Sequence, residues 1–271
     1  LFECVVNISE GRRLDLLDQL STSAGDSLRD RHADDTHNRS VFTLIHDREP
    51  LRRDVRSLAS AALQSLDLHD HQGVHPRFGV LDVVPFVALD ERDAPRAVAL
   101  RDETAAWLAT TFRLPIFLYG LLDDGSTRSL PDVRRGAFRT LSPDHGPEVP
   151  DVRWGASALG ARSVLVAWNL WVLGISHDEG KAIAKSLRRR EVRALSFRIG
   201  EFTQISFNLI APLVVGPSTL YDEVAYLVPR SAIDHAELVG LIPAAVLRTQ
   251  DPSRWQQLGL SYEKTIEARL A

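Results

Sequence analysis

The chain has 271 residues, 44% hydrophobic and 25% charged, with a formal net charge of -4 at pH 7. That length allows one large domain or two moderate ones, and the composition is globular. A mildly acidic balance gives no general pull toward nucleic acid, and no apolar run reaches the roughly 18 residues that span a bilayer, so neither partner is expected.

The start of the chain lacks the basic and apolar pattern of a secretory signal, and a cytoplasmic location is expected. The single cysteine, Cys4, cannot form an internal disulfide. It sits in the apolar run Phe2 to Ile8 and is read as a buried small hydrophobe. Arginine outnumbers lysine and methionine is absent. The short basic cluster from Lys185 to Arg190 reads as the solvated end of a helix, where cations favour the dipole.

Apolar and amphipathic segments alternate along the chain, predicting mixed β and α structure. Phe2 to Ile8 is the first candidate strand, and leucines at 14, 16, 17 and 20 mark a helix over Arg12 to Leu20. Ser40 to His46 is the next strand; Leu51, Val55, Leu58, Ala62 and Leu66 then keep a helical period. Leu81 to Leu89 follows, and Pro85 within it points to an edge strand or a bulge because proline cannot donate a ladder hydrogen bond. Ala94 to Phe112 is amphipathic and Pro115 to Tyr119 is a strand. Asp123 to Asp151 reads as a long ordered excursion with a short helix at Asp132 to Thr140. Ser163 to Leu173 is a strand, and a domain boundary is placed near Gly174, giving halves 1–174 and 175–271. Ser176 to Glu179 is a capping box opening a helix up to Arg190. Val192 to Ile199 and Phe202 to Ile210 flank Gly200 and Glu201 as a hairpin. A helix over Thr219 to Leu227, an apolar segment at Leu238 to Ile242 and a helical tail complete the second half. No sequence repeat is visible, although the halves could share an architecture.

Four stretches carry polar residues that a plain sheet protein does not need. Asn7 to Gly11 ends the first strand in a polar turn, which a helix cap also explains. Asn38 and Arg39 stand immediately before the second strand, where rigid scaffolds present binding groups and where surface turns also fall. The third stretch runs from His69 to Gly79. Pro76 restricts His75 to extended backbone, and Gly73 and Gly79 permit turns around it. A histidine titrates near pH ~6.5, so His75 can take and return a proton near neutrality. Arg77 is suited to a carboxylate, and Asp82 can either orient an imidazole or pair with an arginine. The fourth stretch, Gly160 to Asn169, is apolar with an amide at its end; a buried Asn169 requires hydrogen-bond partners.

Together these stretches resemble the formiminotransferase family, the tetrahydrofolate-dependent glutamate formimidoyltransferases found alone in bacteria and fused to a cyclodeaminase in animals. The resemblance is carried by Glu3 to Val5 with Asn7 to Gly11, by Asn38-Arg39-Ser40-Val41-Phe42-Thr43, and by His71-Gln72-Gly73-Val74-His75-Pro76-Arg77-Phe78-Gly79 continuing to Phe86. Pro143 to Pro147, Trp154-Gly155-Ala156, Gly160 to Asn169 and Gln204 to Leu209 extend it. It covers residue 2 to about 210, and more loosely the remainder.

The resemblance implies an α+β fold of two ferredoxin-like α/β-sandwich subdomains with mixed and antiparallel sheets, paired as a homodimer, with folate in a tunnel between the subdomains. It implies formimino transfer from N-formimino-L-glutamate to N5 of tetrahydrofolate, a carrier substrate in one-carbon metabolism and histidine degradation, with no metal. The family's catalytic histidine falls on His75, and its folate-binding segment on Gly160, Ala161, Arg162, Ser163, Val164, Leu165, Val166, Ala167, Trp168 and Asn169. From the residues themselves, Asn38, Arg39, Arg77 and Asp82 are further candidates for folate and substrate binding, and the pterin is expected near Trp168. No cyclodeaminase domain is expected. His32 stands where animal members carry an aspartate, with Asp30, Asp34 and Asp35 nearby, and Val74 stands where a glutamate is common. Two alternatives remain: a folate-binding or 5-formyltetrahydrofolate-acting relative without formimino transfer, and a hydrolase with a metal on His69, Asp70, His71 and His75.

Overall fold

Strict alternation along Phe2–Ile8 buries Phe2, Cys4, Val6 and Ile8 on one face and makes this segment the strand β1. A computed structural model describes the chain except for Asp70, His75, Pro76 and Asp123. After β1 come α1 (Leu14–Ser23), β2 (Leu28–Asp34), β3 (Arg39–His46), α2 (Arg48–Ser65), β4 (Leu81–Ala88) and α3 (Ala94–Phe112). Then follow β5 (Ile116–Leu121), β6 (Thr127–Arg128), α4 (Leu130–Gly136) and β7 (Ser157–Ala161). These form the first of two units, Leu1–Val164.

The second unit, Leu165–Ala271, contains β8 (Val166–Leu173), α5 (His177–Leu187), β9 (Val192–Ile199), β10 (Phe202–Leu209), α6 (Pro217–Leu227) and β11 (Ile233–Val239). Two short helices, α7 (Ala244–Leu247) and α8 (Ile266–Leu270), close the chain. The predicted capping box is formed: Ser176 Oγ accepts the Glu179 amide, and the Glu179 carboxylate accepts the Ser176 amide. The hairpin is formed as well, with Phe202 opposite Ile199.

The strand order is β2-β3-β1-β4-β7-β5-β6 in the first unit and β11-β8-β10-β9 in the second. Each unit opens with strand, helix, two strands, helix and strand, and in each the fourth strand lies beside the first and the third beside the second. Both are therefore ferredoxin-like units within an α+β fold. The second sheet is antiparallel throughout. The first is mixed, because β7 joins β4 and β5 in parallel.

Helices α1, α2 and α3 pack Leu17, Leu20, Val55, Leu58 and Leu100 against Cys4, Val6, Phe42, Leu44 and Phe86. On the opposite face, Val133 of α4 packs with Val83, Phe117, Tyr119 and Ala158. In the second unit Ile183, Ala184, Leu220 and Val224 cover Trp168, Leu170, Val172 and Phe207.

Helix α4 spans Leu130–Gly136 rather than Asp132 to Thr140, β2 and β7 were not expected as strands, and three further features differ from the sequence expectation. The division falls at Val164 and Leu165 rather than near Gly174, because β8 hydrogen-bonds to β10 and β11 in the second sheet. Pro85 lies in an interior strand rather than at an edge, with β4 paired to β7 at Gly160; the bulge alternative fits better, since the β1–β4 register shifts between Asn7 opposite Val83 and Ile8 opposite Leu81. Residues 162–165 are outside any strand, so the expected strand from Ser163 begins only at Val166. Among the described residues no helix is long and apolar enough to cross a membrane.

Candidate active site

At the end of β1 the chain turns through Ser9 and Glu10. Glu10 accepts the amides of Arg12 and Arg13 just ahead of α1, while Ser9 Oγ donates to the Gly79 carbonyl at 2.7 Å. Glu10 therefore holds the turn ahead of α1 rather than capping the helix, whose N-cap Arg13 makes no side-chain cap bond, and Ser9 connects the turn to the histidine-bearing loop.

Asn38 lies between the same two segments. Its φ of 46° is in the left-handed region, which asparagine tolerates better than most residues. Its Oδ1 accepts the Gly11 amide at 2.9 Å and its Nδ2 donates to the Gln72 carbonyl at 2.9 Å. His71 Nε2 contacts the Asn38 carbonyl at 3.0 Å, and the Val74 amide donates to Thr36 O at 3.4 Å. A carbonyl only accepts, so His71 carries its proton on Nε2 here. Backbone approaches backbone so closely that a Cβ on Gly73 would sit 2.3 Å from the His37 oxygen. Glycine is required there.

Beyond Pro76 the loop is held by another group. Asp82, 1% exposed, accepts the Phe78 amide on Oδ1 at 2.6 Å and pairs through Oδ2 with Arg134 of α4, also at 2.6 Å. Asp82 is therefore paired with an arginine. Arg77 donates from Nη1 to the His71 carbonyl at 2.8 Å. Burial pulls its pKa down and the Asp82 charge opposes this. His75 itself, the predicted catalytic group, lies outside the described residues. Arg39 opposes Asp34 across the ends of β3 and β2, and His32 opposes Val41.

A second polar group lies farther along the first sheet. Tyr119 faces Gly160, where a Cβ would be 2.0 Å from the ring, and lies near the Arg162 charge. Burial pushes the phenol up to about 12, against the opposing Arg162 charge, so Tyr119 stays protonated and is no base at neutral pH. Arg162 also donates to the Ser163 carbonyl at 2.9 Å. Glu3 is 4% exposed; burial raises its pKa above the ordinary 4.5, and the Arg162 charge opposes the shift. A raised carboxyl pKa contributes stability below the unfolded value and loses it as pH rises through the folded one. Glu3→Gln is accordingly expected to melt above the parent at pH 7, with the gap closing below pH 4.5. Thermal melts across that range check it, and a pH-independent gap contradicts it.

In the second unit the pleat separates the residues of β8. Trp168 is 0% exposed, packs on Phe207, and donates from Nε1 to the Leu258 carbonyl at 2.8 Å. Val166 shares that core. The surface expected beside Trp168 is thus closed off by its own packing, and the other face of β8 presents Ala167, Asn169 and Trp171 instead. Asn169 has the partner its burial requires: Nδ2 donates to Glu237 Oε2 at 3.0 Å, and Trp171 Nε1 donates to the same oxygen at 3.2 Å. The Trp171 ring stacks on His235 with centroids 5.3 Å apart.

Comparison with known proteins gives this geometry a context. The chain matches the formiminotransferase domain, N-terminal subdomain, over residues 1–162. The chain belongs to the formiminotransferase family. Among its relatives, the glutamate formimidoyltransferase of Streptococcus pyogenes serotype M1 is 29% identical over 273 residues, covering 91% of this chain and 90% of that protein. The glutamate formimidoyltransferase of Thermoplasma acidophilum is 30% identical over 272 residues, covering 91% and 89%. The formimidoyltransferase-cyclodeaminase of Sus scrofa is 29% identical over 276 residues, and there the chain spans 51% of the relative's length.

The sequence placed Asn38 in a stretch of its own and Arg77 and Asp82 with the His75 turn; in the structure the side chains of all three bond to residues of the 69–79 segment. Sequence reasoning missed Arg134, which reaches Asp82 from α4, and Tyr119, which stands against Gly160 and Arg162; Ser9 was part of the polar turn singled out after the first strand, but its bond to Gly79 was not foreseen. Spacing in sequence carries no signal for such partners. Among the described residues no cluster of three or more His, Cys, Asp or Glu could hold a metal. His69 Nδ1 contacts Asp67 Oδ1 at 2.6 Å and His71 contacts Asn38, while Asp70 and His75 lie outside the described residues.

Proposed function

We propose that this protein transfers the formimino group of N-formimino-L-glutamate to N5 of tetrahydrofolate, with His75 as acid and base. The observation that carries the reading is the match over nine-tenths of both chains to a glutamate formimidoyltransferase. The loop geometry supports it, since the segments on either side of His75 are anchored to the sheet by Asn38 and Asp82.

N5 attacks the formimino carbon and forms a new C–N bond, giving a tetrahedral intermediate in which N5 bears an acidic proton. His75 removes that proton and returns one to the glutamate nitrogen. The old C–N bond then breaks, glutamate leaves, and the formimino carbon remains on N5. Positioned acid–base catalysis contributes roughly 10²–10⁴-fold, and alignment of two bound substrates supplies much of the remaining gain.

Arg39, Arg77 and Arg162 supply positive charge for the carboxylates of glutamate and of the folate tail. Folate acts as a carrier substrate, so no prosthetic group takes part in these steps. The family reading also includes a homodimer and a cytoplasmic location.

His32, at the position of an aspartate in animal members, favours a second reading in which folate binds without formimino transfer from glutamate. Steady-state assays with formiminoglutamate, 5-formyltetrahydrofolate and other one-carbon donors separate the two. Turnover is expected with formiminoglutamate; folate binding without turnover on that donor supports the second reading and overturns the first.

A further inference from the structure

The residues expected to touch substrate include Asn38, yet both polar atoms of its side chain are engaged by the protein's own backbone. Asn38 is 7% exposed. Its oxygen accepts from Gly11 and its nitrogen donates to Gln72, so one amide bridges the turn after β1 and the loop before His75. The backbone oxygen of the same residue receives His71 Nε2. Three chain segments, 9–11, 34–39 and 71–74, thereby meet at one side chain.

The surrounding backbone leaves no room for a substitute. A Cβ on Gly11 would lie 2.2 Å from the Asp34 oxygen and 2.6 Å from the Arg39 nitrogen. A Cβ on Gly73 would lie 2.3 Å from the His37 oxygen and 3.2 Å from the Asn38 Cβ itself. Both hydrogen bonds of the Asn38 amide go to the protein's own backbone, which leaves one Nδ2 proton and one Oδ1 lone pair on a side chain that is almost fully buried.

We infer that Asn38 is a positioning residue that latches the loop bearing His75 to the ends of β1 and β3, and that it does not contact either substrate. The inference rests on the proposed role of His75. Asp82 holds the following stretch through the Phe78 amide, so the chain is fixed on both sides of residues 75 and 76. A general base displaced by about 1 Å loses roughly 10²-fold in rate, which sets the scale of the latch's effect on turnover.

The φ of 46° at this position suggests a clean variant. Asn38→Gly accepts the left-handed backbone without strain and deletes only the amide, whereas Asn38→Asp keeps an acceptor for Gly11 and loses the donor to Gln72. In Asn38→Gly, kcat is expected to fall by roughly 10²-fold while KM for each substrate stays within about 2-fold, with Asn38→Asp intermediate. Amide hydrogen exchange is expected to quicken at Gly11 and across Gln72 to Gly79 in Asn38→Gly, with the core strands unchanged. A raised KM with unchanged kcat would make Asn38 a binding residue and overturn the inference, as would unaltered exchange in the loop or faster exchange with unaltered kcat. Absence of formimino transfer by the parent protein would overturn the functional reading instead, and loop exchange would still decide whether the latch exists.

Discussion

Replacing His75 with alanine is expected to lower kcat for formimino transfer by roughly 10²–10⁴-fold while leaving tetrahydrofolate binding in place. The attacking N5 becomes acidic only after its bond to the formimino carbon has formed, and the departing glutamate nitrogen is a poor leaving group until it is protonated. One group that accepts the first proton and supplies the second removes both obstacles, and an imidazole titrating near ~6.5 can do so at neutral pH. Methyl-sized alanine keeps the bond to Pro76 and the glycine turns, so the loop retains its anchors at Gln72 and Phe78. Binding is measured by titration with tetrahydrofolate and turnover by steady-state kinetics. Parallel loss of both would mark His75 as a structural residue.

Trp168→Ala is expected to destabilise the second unit by about 3–5 kcal/mol, the usual cost of removing a large aromatic side chain from a packed core. Trp168 is 0% exposed and lies amid Leu170, Val172, Phe207, Leu220 and Leu258. Truncation opens a cavity and also leaves the buried Leu258 carbonyl without its indole donor. Trp171→Ala, on the other face of β8, removes a partly exposed ring and one hydrogen bond to Glu237, so its stability loss is expected to be the smaller of the two. If Trp168 supported the pterin directly, its truncation would weaken folate binding without moving the denaturant midpoint. Equilibrium unfolding of both variants, paired with folate titration, distinguishes the roles.

The contrast between these tryptophans shows what a sequence can and cannot convey. The apolar run from Val164 to Leu173 announces a buried strand, but a single chain does not state which sheet will accept it. Gly160 to Asn169 reads as one segment; in the structure it ends one sheet at Ala161 and begins another at Val166. β7 was illegible because Ser, Ala and Gly are weak strand formers, and its small residues make sense only once the Tyr119 ring is seen against Gly160. β2 was illegible for another reason: Leu28–Asp34 is rich in charge, as edge strands are, and alternation is masked.

By contrast, α3 follows its predicted span from Ala94 to Phe112, and the capping box at Ser176 marks the start of α5, because helix period and caps are local signals. The candidate site was legible as a set of residues but not as a set of roles. Asn38, Arg77 and Asp82 could be named from their motifs, whereas their hydrogen bonds to Gly11, Gln72, His71, Phe78 and Arg134 follow from tertiary structure.

Single-turnover transfer with formiminoglutamate labelled at the formimino carbon tests the central claim most directly. With enzyme and tetrahydrofolate in excess, the label is expected on the folate at N5, with unlabelled glutamate released in equal amount and the rate falling as pH drops through the histidine range. Label that remains on glutamate, or that is released as free formamide or formate without entering folate, would contradict the assignment of this chain as a formimino transferase.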